Sequence, residues 1–122
     1  LQGAAGVVMN VPTSNNVLHQ VSQLVDIPAI ITVASTRTDF CARVEAGADI
    51  FNVAAGADTP MLVRKIRQEL PDFPLIATGG PTEDSILETI HAGANAISWT
   101  PPPTASLFKD FMAAYREDKP YQ

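Results

Sequence analysis

Runs of apolar residues alternate with stretches of helical periodicity from one end of the chain to the other. The first run, Ala5 to Val11, is closed by Pro12, and Thr13 or Ser14 is placed to cap the helix that follows. That helix sets Val17, Leu18, Val21, Leu24 and Val25 along one face. The second run, Ile27 to Val33, leads into a helix opened by Thr36 or Thr38, with Phe40, Cys41, Val44 and Ala48 inward. Ile50 to Val53 forms the third run, and its helix carries Met61, Leu62, Ile66 and Leu70. The fourth run, Phe73 to Thr78, precedes a helix capped by Thr82 that buries Ile86, Leu87 and Ile90. Ala96 to Trp99 is the fifth run. Pro101-Pro102-Pro103 then reads as a stiff connector to a last helix with Leu107, Phe108, Phe111, Met112 and Tyr115 on one stripe.

Strict alternation of this kind predicts parallel strands joined by right-handed crossovers. The runs are continuously apolar, as strands covered by helices on both faces are. A repeat lies within the pattern. Asp26-x-Pro28-x-Ile30 returns as Asp72-x-Pro74-x-Ile76, Thr36 as Thr82, and Ala46-Gly47-Ala48-Asp49 as Ala92-Gly93-Ala94-Asn95. Every pair is separated by 46 residues, a length that fits two strand–helix units. Gly47 and Gly93 fall where a helix must stop and turn into a strand, the place for a left-handed glycine.

Residues 1–122 are therefore expected to be a single α/β domain or a piece of one. The preferred arrangement is a (βα)5 parallel-strand fragment of a TIM barrel. The alternative is an open five-stranded flavodoxin-like sheet, whose first loop usually cradles its ligand. Here that loop, Asn10 to Asn16, carries no phosphate cradle.

Composition narrows the partners. With 46% hydrophobic and 17% charged residues the chain can bury a core and is not disordered. A net charge of −5 argues against nucleic acids, which reward cationic surfaces, and leaves a small anionic ligand to be held by a local site. No apolar run reaches the roughly 20 residues a membrane helix needs, so no membrane partner is expected. One cysteine, Cys41, excludes an internal disulfide and fits a cytoplasmic location. On its helix Cys41 is expected to be a buried, inert thiol.

In βα folds function collects at the carboxyl ends of the strands. Those ends present Asn10, Thr32 with Ser35, Asn52, Thr78-Gly79-Gly80 and Ser98 with Thr100. The set is polar and holds no ionisable group, no lysine for a Schiff base and no cluster that would bind a metal, so no metal and no cofactor are expected. Thr78-Gly79-Gly80 is the most site-like segment, because glycines after a strand let backbone amides approach an anion. Pro81 removes one amide there, and Glu83 and Asp84 already occupy the helix start. His19 and His91 lie on helices, away from the strand ends.

These pieces together resemble the later strands of phosphate-binding barrels, and most of all the 2-keto-3-deoxy-6-phosphogluconate (KDPG/KHG) aldolase group. Ile27-Pro28-Ala29-Ile30 through Glu45-Ala46-Gly47-Ala48-Asp49 looks like that group's fifth strand and helix. Ile50-Phe51-Asn52-Val53 falls where its sixth strand carries the Schiff-base lysine, a position that here holds Asn52. Thr78-Gly79-Gly80 is similar to its seventh-strand phosphate loop, and Ser98-Trp99 to the end of its eighth. The eighth-strand glycines are replaced by Ala96-Ile97. On this likeness the chain covers strands four to eight, the C-terminal portion of a (βα)8 barrel.

The resemblance implies an aldolase-like segment acting on a small sugar-phosphate or keto-acid, inactive by itself for want of the lysine. Thr78, Gly79, Gly80 and Ser98 would hold the phosphate, and Asn52 and Asn10 would bind the substrate. The alternative is a non-catalytic metabolite-binding or regulatory barrel, which the lack of ionisable groups at the strand ends favours. A hydrolase, isomerase or epimerase on the same scaffold is the further alternative. Two open sheet edges would also promote self-association.

Overall fold

The computed structural model describes residues 2–99 and 104–118. Five parallel strands form one open sheet, in an α/β (βα)5 arrangement. The elements are β1 (Val7–Met9), α1 (Asn15–Leu24), β2 (Ala29–Val33), α2 (Phe40–Glu45), β3 (Ile50–Val53), α3 (Thr59–Glu69), β4 (Leu75–Thr78), α4 (Glu83–Ala92), β5 (Ala96–Ser98) and α5 (Thr104–Asp118). A short 3-10 turn, Gly56–Asp58, precedes α3. Thr100 and the prolines Pro101 to Pro103 lie outside the described residues.

The sheet does not close into a barrel. It is the open five-stranded arrangement, ordered β1-β2-β3-β4-β5, with β1 and β5 at its edges. A sequential order with right-handed crossovers sends successive helices to the same face, whereas an order that reverses midway divides them between two. Burial follows that rule. Ala29, Ile31, Val33, Phe51, Val53, Leu75 and Ala77 point to one face and are essentially inaccessible. Leu18 of α1, Phe40 of α2 and Leu62, Val63 and Ile66 of α3 pack against them. On the other face Ile30, Ile50 and Ile76 are only half-buried, and Val8 is 57% exposed. The expectation of two covered faces is thus corrected: each strand alternates between a core face and an uncovered face.

Helix starts are capped as their chemistry requires. Ser14 accepts from the Val17 amide at the start of α1. Thr82 and Ser85 form a reciprocal capping box on α4. At α2 neither Thr36 nor Thr38 caps. The cap is Asp39, whose carboxylate accepts from the Ala42 amide at 3.0 Å. The loop after β2 is therefore longer than its repeat partner after β4.

The 46-residue repeat is a repeat of hydrogen bonds. Asp49 accepts from the Ala29 amide at 2.8 Å, and Asn95 accepts from the Leu75 amide at 2.9 Å. The backbone amides of Asp49 and Asn95 donate in turn to the Ala29 and Leu75 carbonyls. Gly47 and Gly93 precede them with φ of 117° and 119°, a left-handed conformation that side chains resist. Each repeat thus ties the residue entering one strand to the first residue of the strand before it.

Several helix positions expected inside face out. Leu24 is 83% exposed and Met61, Val17, Leu87 and Ile90 lie between 44% and 50%. Thr59, Thr89 and Ala92 are buried in their stead. Cys41 is exposed, not buried, because α2 is a short helix that sinks Phe40 into the core and turns its neighbour to solvent. On α5, Phe108 and Phe111 are 64% and 68% exposed.

Candidate functional site

The uncovered face is divided along its strands. Its amino-terminal half is apolar, with Val8, Ile30 and Ile50 side by side in register. Its carboxyl-terminal half is polar. Thr32 lies beside Asn52, and Thr78 beside Ser98. Asn10, just past β1, is exposed at the same end. Among these, Asn52 and Thr32 are hydrogen-bonded through their side chains, the Asn52 amide donating to Thr32 Oγ1 at 3.3 Å. That bond supplies the partner a half-buried amide on an apolar strand needs.

Thr78 and Ser98 border a recess of about 190 Å³ with Gly80, Pro81 and Trp99. The glycines there have structural reasons. A Cβ on Gly79 would sit 2.6 Å from Ile97 Cγ2 and 2.9 Å from Ile86 Cγ1, so the residue is small to let α4 pack on β5. Its amide donates to the Ser98 carbonyl at 3.0 Å and continues the ladder of the sheet. Gly80 has φ of 78° and lies against Ser85 of the capping box, again with no room for a Cβ. The segment that resembles a phosphate loop is therefore a tight turn into a capped helix, with the Gly79 amide already committed.

A larger cleft, about 400 Å³, lies at the carboxyl ends of β1 and β2, between the loops that lead into α1 and α2. Val11, Thr13, Ser14, Asn15, Ser35, Arg37, Thr38, Asp39 and Arg43 line it. Arg43 builds one wall. Its Nη1 donates to the Thr13 carbonyl and to Asn15 Oδ1, and its Nη2 to the Val11 carbonyl at 2.9 Å. A planar guanidinium can hold three acceptors this way because its donors are fixed in direction. Inspection of the strand ends alone misses this cleft, since its charged residues stand on loops and on α2. The signal in the sequence was the pair of arginines, Arg37 and Arg43, in a chain with eight basic residues against 13 acidic ones.

The arrangement can hold a small polar molecule by hydrogen bonds. Among the described residues, no group of three or more His, Cys, Asp or Glu side chains is placed to take a metal ion. Nor is any described helix long and apolar enough to cross a membrane.

No family model and no curated protein matches the chain. Among solved structures it is similar to the crystal structure of a glycerol uptake operon antiterminator regulatory protein from Listeria monocytogenes str. 4b F2365. The TM-score is 0.57 at 22% sequence identity, over 84% of this chain and 55% of that one. The chain thus spans about half the length of that neighbour. At this identity the likeness is one of fold. It overturns the aldolase reading all the same: the neighbour is a regulatory protein, no aldolase family model matches, and Asn52 stands at the lysine position. The lyase, TIM-barrel and phosphate-binding expectations drawn from the aldolase group do not hold with it, and what remains is an open α/β sheet whose neighbour is regulatory.

Proposed function

We propose that this chain is a non-catalytic regulatory module that holds a small polar metabolite over the carboxyl ends of its strands. The observation that carries the reading is the chemistry of those ends: Asn10, Thr32, Asn52, Thr78 and Ser98 offer hydrogen bonds and no acid, base or nucleophilic amine. Binding without turnover is what such a surface supports. The regulatory description of the structural neighbour agrees with it. The net charge of −5 argues against a phosphodiester backbone as the partner. A single cysteine is in keeping with a reducing, cytoplasmic location.

Binding to the folded state raises the unfolding temperature by mass action. A thermal-shift panel of small polyols, glycerol among them, and small hydroxy acids is expected to give at least one saturable rise. Asn52→Ala is expected to weaken that ligand about tenfold, the loss of one or two well-made hydrogen bonds. No response from any member at millimolar concentration, or turnover of one of them, would overturn the reading.

A second copy of the chain is the macromolecular partner this reading includes. Edge strands β1 and β5 present backbone groups that no other described strand pairs, and α5 turns Phe108 and Phe111 to solvent. Sedimentation velocity is expected to show concentration-dependent association. One monomeric species up to high micromolar concentration would count against it.

A further inference from the structure

The cleft between the first two loops differs from the rest of the carboxyl end in one respect: it is cationic. Arg37 and Arg43 line it against one carboxylate, Asp39, in a protein whose overall charge is −5. The charged groups are not equally available. Arg43 is committed to the Val11 and Thr13 carbonyls and to Asn15. Asp39 is engaged by the Ala42 amide. Ser14 is engaged by the Val17 amide, so the start of α1 is already capped. Arg37 is not engaged. Its backbone amide donates to Ser35 Oγ, but among the described residues its guanidinium makes no hydrogen bond or ion pair. Thr13 and Thr38 add hydroxyls around it.

We infer that this cleft is the anchoring subsite for a small hydroxylated monocarboxylate, with Arg37 as the group that receives the carboxylate. The inference rests on the regulatory-module reading and names its ligand class. A guanidinium presents two parallel donors that match a carboxylate edge to edge. One uncommitted cation in this cleft suits one negative charge. The hydroxyls of Thr13 and Thr38 suit a ligand that carries hydroxyls of its own. A cleft of about 400 Å³ is in the size range of small-molecule sites and takes an acid of three or four carbons with room to spare. Arg43 contributes as a positioning residue. It fixes the Val11 to Asn15 wall before any ligand arrives, which lowers the ordering cost of binding.

The test uses the full chain with sodium glycerate as the probe and sodium chloride at equal ionic strength as the reference, read by calorimetric titration. The parent chain is expected to bind glycerate and not chloride. Arg37→Ala is expected to weaken glycerate at least tenfold, and Arg37→Lys to recover little, because a point charge replaces the fork. Arg37 is exposed, so both variants are expected to unfold at the parental temperature. Glycerate bound equally by Arg37→Ala and the parent overturns the inference. So does a parent that responds to neutral polyols in an Asn52-dependent way and ignores glycerate, an outcome that leaves the regulatory-module reading standing. A parent that binds neither polyols nor glycerate overturns both.

Discussion

Phe51→Ala is expected to lower the unfolding free energy by about 3–5 kcal/mol, the range for truncating a fully buried aromatic ring. Phe51 is 0% exposed on β3, the middle strand of the sheet. Its ring centroid lies 4.6 Å from that of Phe73 and 6.2 Å from that of Phe40. Phe40 enters from α2 and Phe73 from the approach to β4, so the ring joins segments distant in sequence. Each such ring pair adds roughly 0.5–1.5 kcal/mol beyond area burial. Domains of this kind have a total stability of about 5–15 kcal/mol, so the variant would lose a large share of it. Urea titration is the measurement. The midpoint should fall with little change in slope if the native state keeps its compactness. Phe111→Ala supplies the contrast, since Phe111 is 68% exposed and its loss should stay within about 0.5 kcal/mol. Equal losses for the two would show that the core is not organised around β3.

Arg67→Ala is expected to cost about 2–4 kcal/mol, more than is usual for a side chain on the outer layer of a fold. Arg67 gathers four acceptors. Its Nε donates to the Gly93 carbonyl at 2.9 Å, its Nη1 to the carbonyls of Leu70 and Phe73, and its Nη2 to Asn95 Oδ1 at 2.6 Å. The residue stands in the last turn of α3, the Leu70 and Phe73 carbonyls belong to the turn into β4, and Gly93 and Asn95 to the turn from α4 into β5. Removing the guanidinium leaves part-buried carbonyls without a donor, and that desolvation cost is the larger part of the effect. Arg67→Lys should restore little, because an ammonium lacks the fixed directions to meet four acceptors on two segments at once. Arg64, one turn away, provides the control. It meets Glu88 at 3.8 Å with both side chains more than half exposed, so Arg64→Ala should cost well under about 1 kcal/mol. A small effect at Arg67 would mean that water replaces the clamp.

Much of the fold was legible in the residues. Each apolar run contains its strand, and Ile50–Val53 has the same bounds in both. The 46-residue repeat marked Gly47, Asp49, Gly93 and Asn95, and their hydrogen bonds now account for the shared pattern. These features are local or nearly so: a left-handed glycine, a cap, a carboxylate or amide reaching the neighbouring strand. The candidate site was legible in part. The polar strand ends Asn10, Asn52, Thr78 and Ser98 stand where βα topology puts them. The Arg37 cleft is not legible there, because its two walls come from loops that only strand pairing brings together.

The sequence by itself determined the alternation of strands and helices, their parallel direction and the duplication of a two-unit module. Periodicity and right-handed crossover chemistry suffice for these. Strand order and layer coverage were decided by the tertiary structure. A strand with Ile30 and Ile31 in succession reads the same whether one face or both are covered, since apolar residues appear on both sides either way. Only the sequential order, which sends the crossovers to one face, separated buried Ile31 from half-buried Ile30. The same holds for Gly79. Beside a strand end it has the look of an anion loop, and only the approach of Ile97 and Ile86 shows that its missing side chain serves packing.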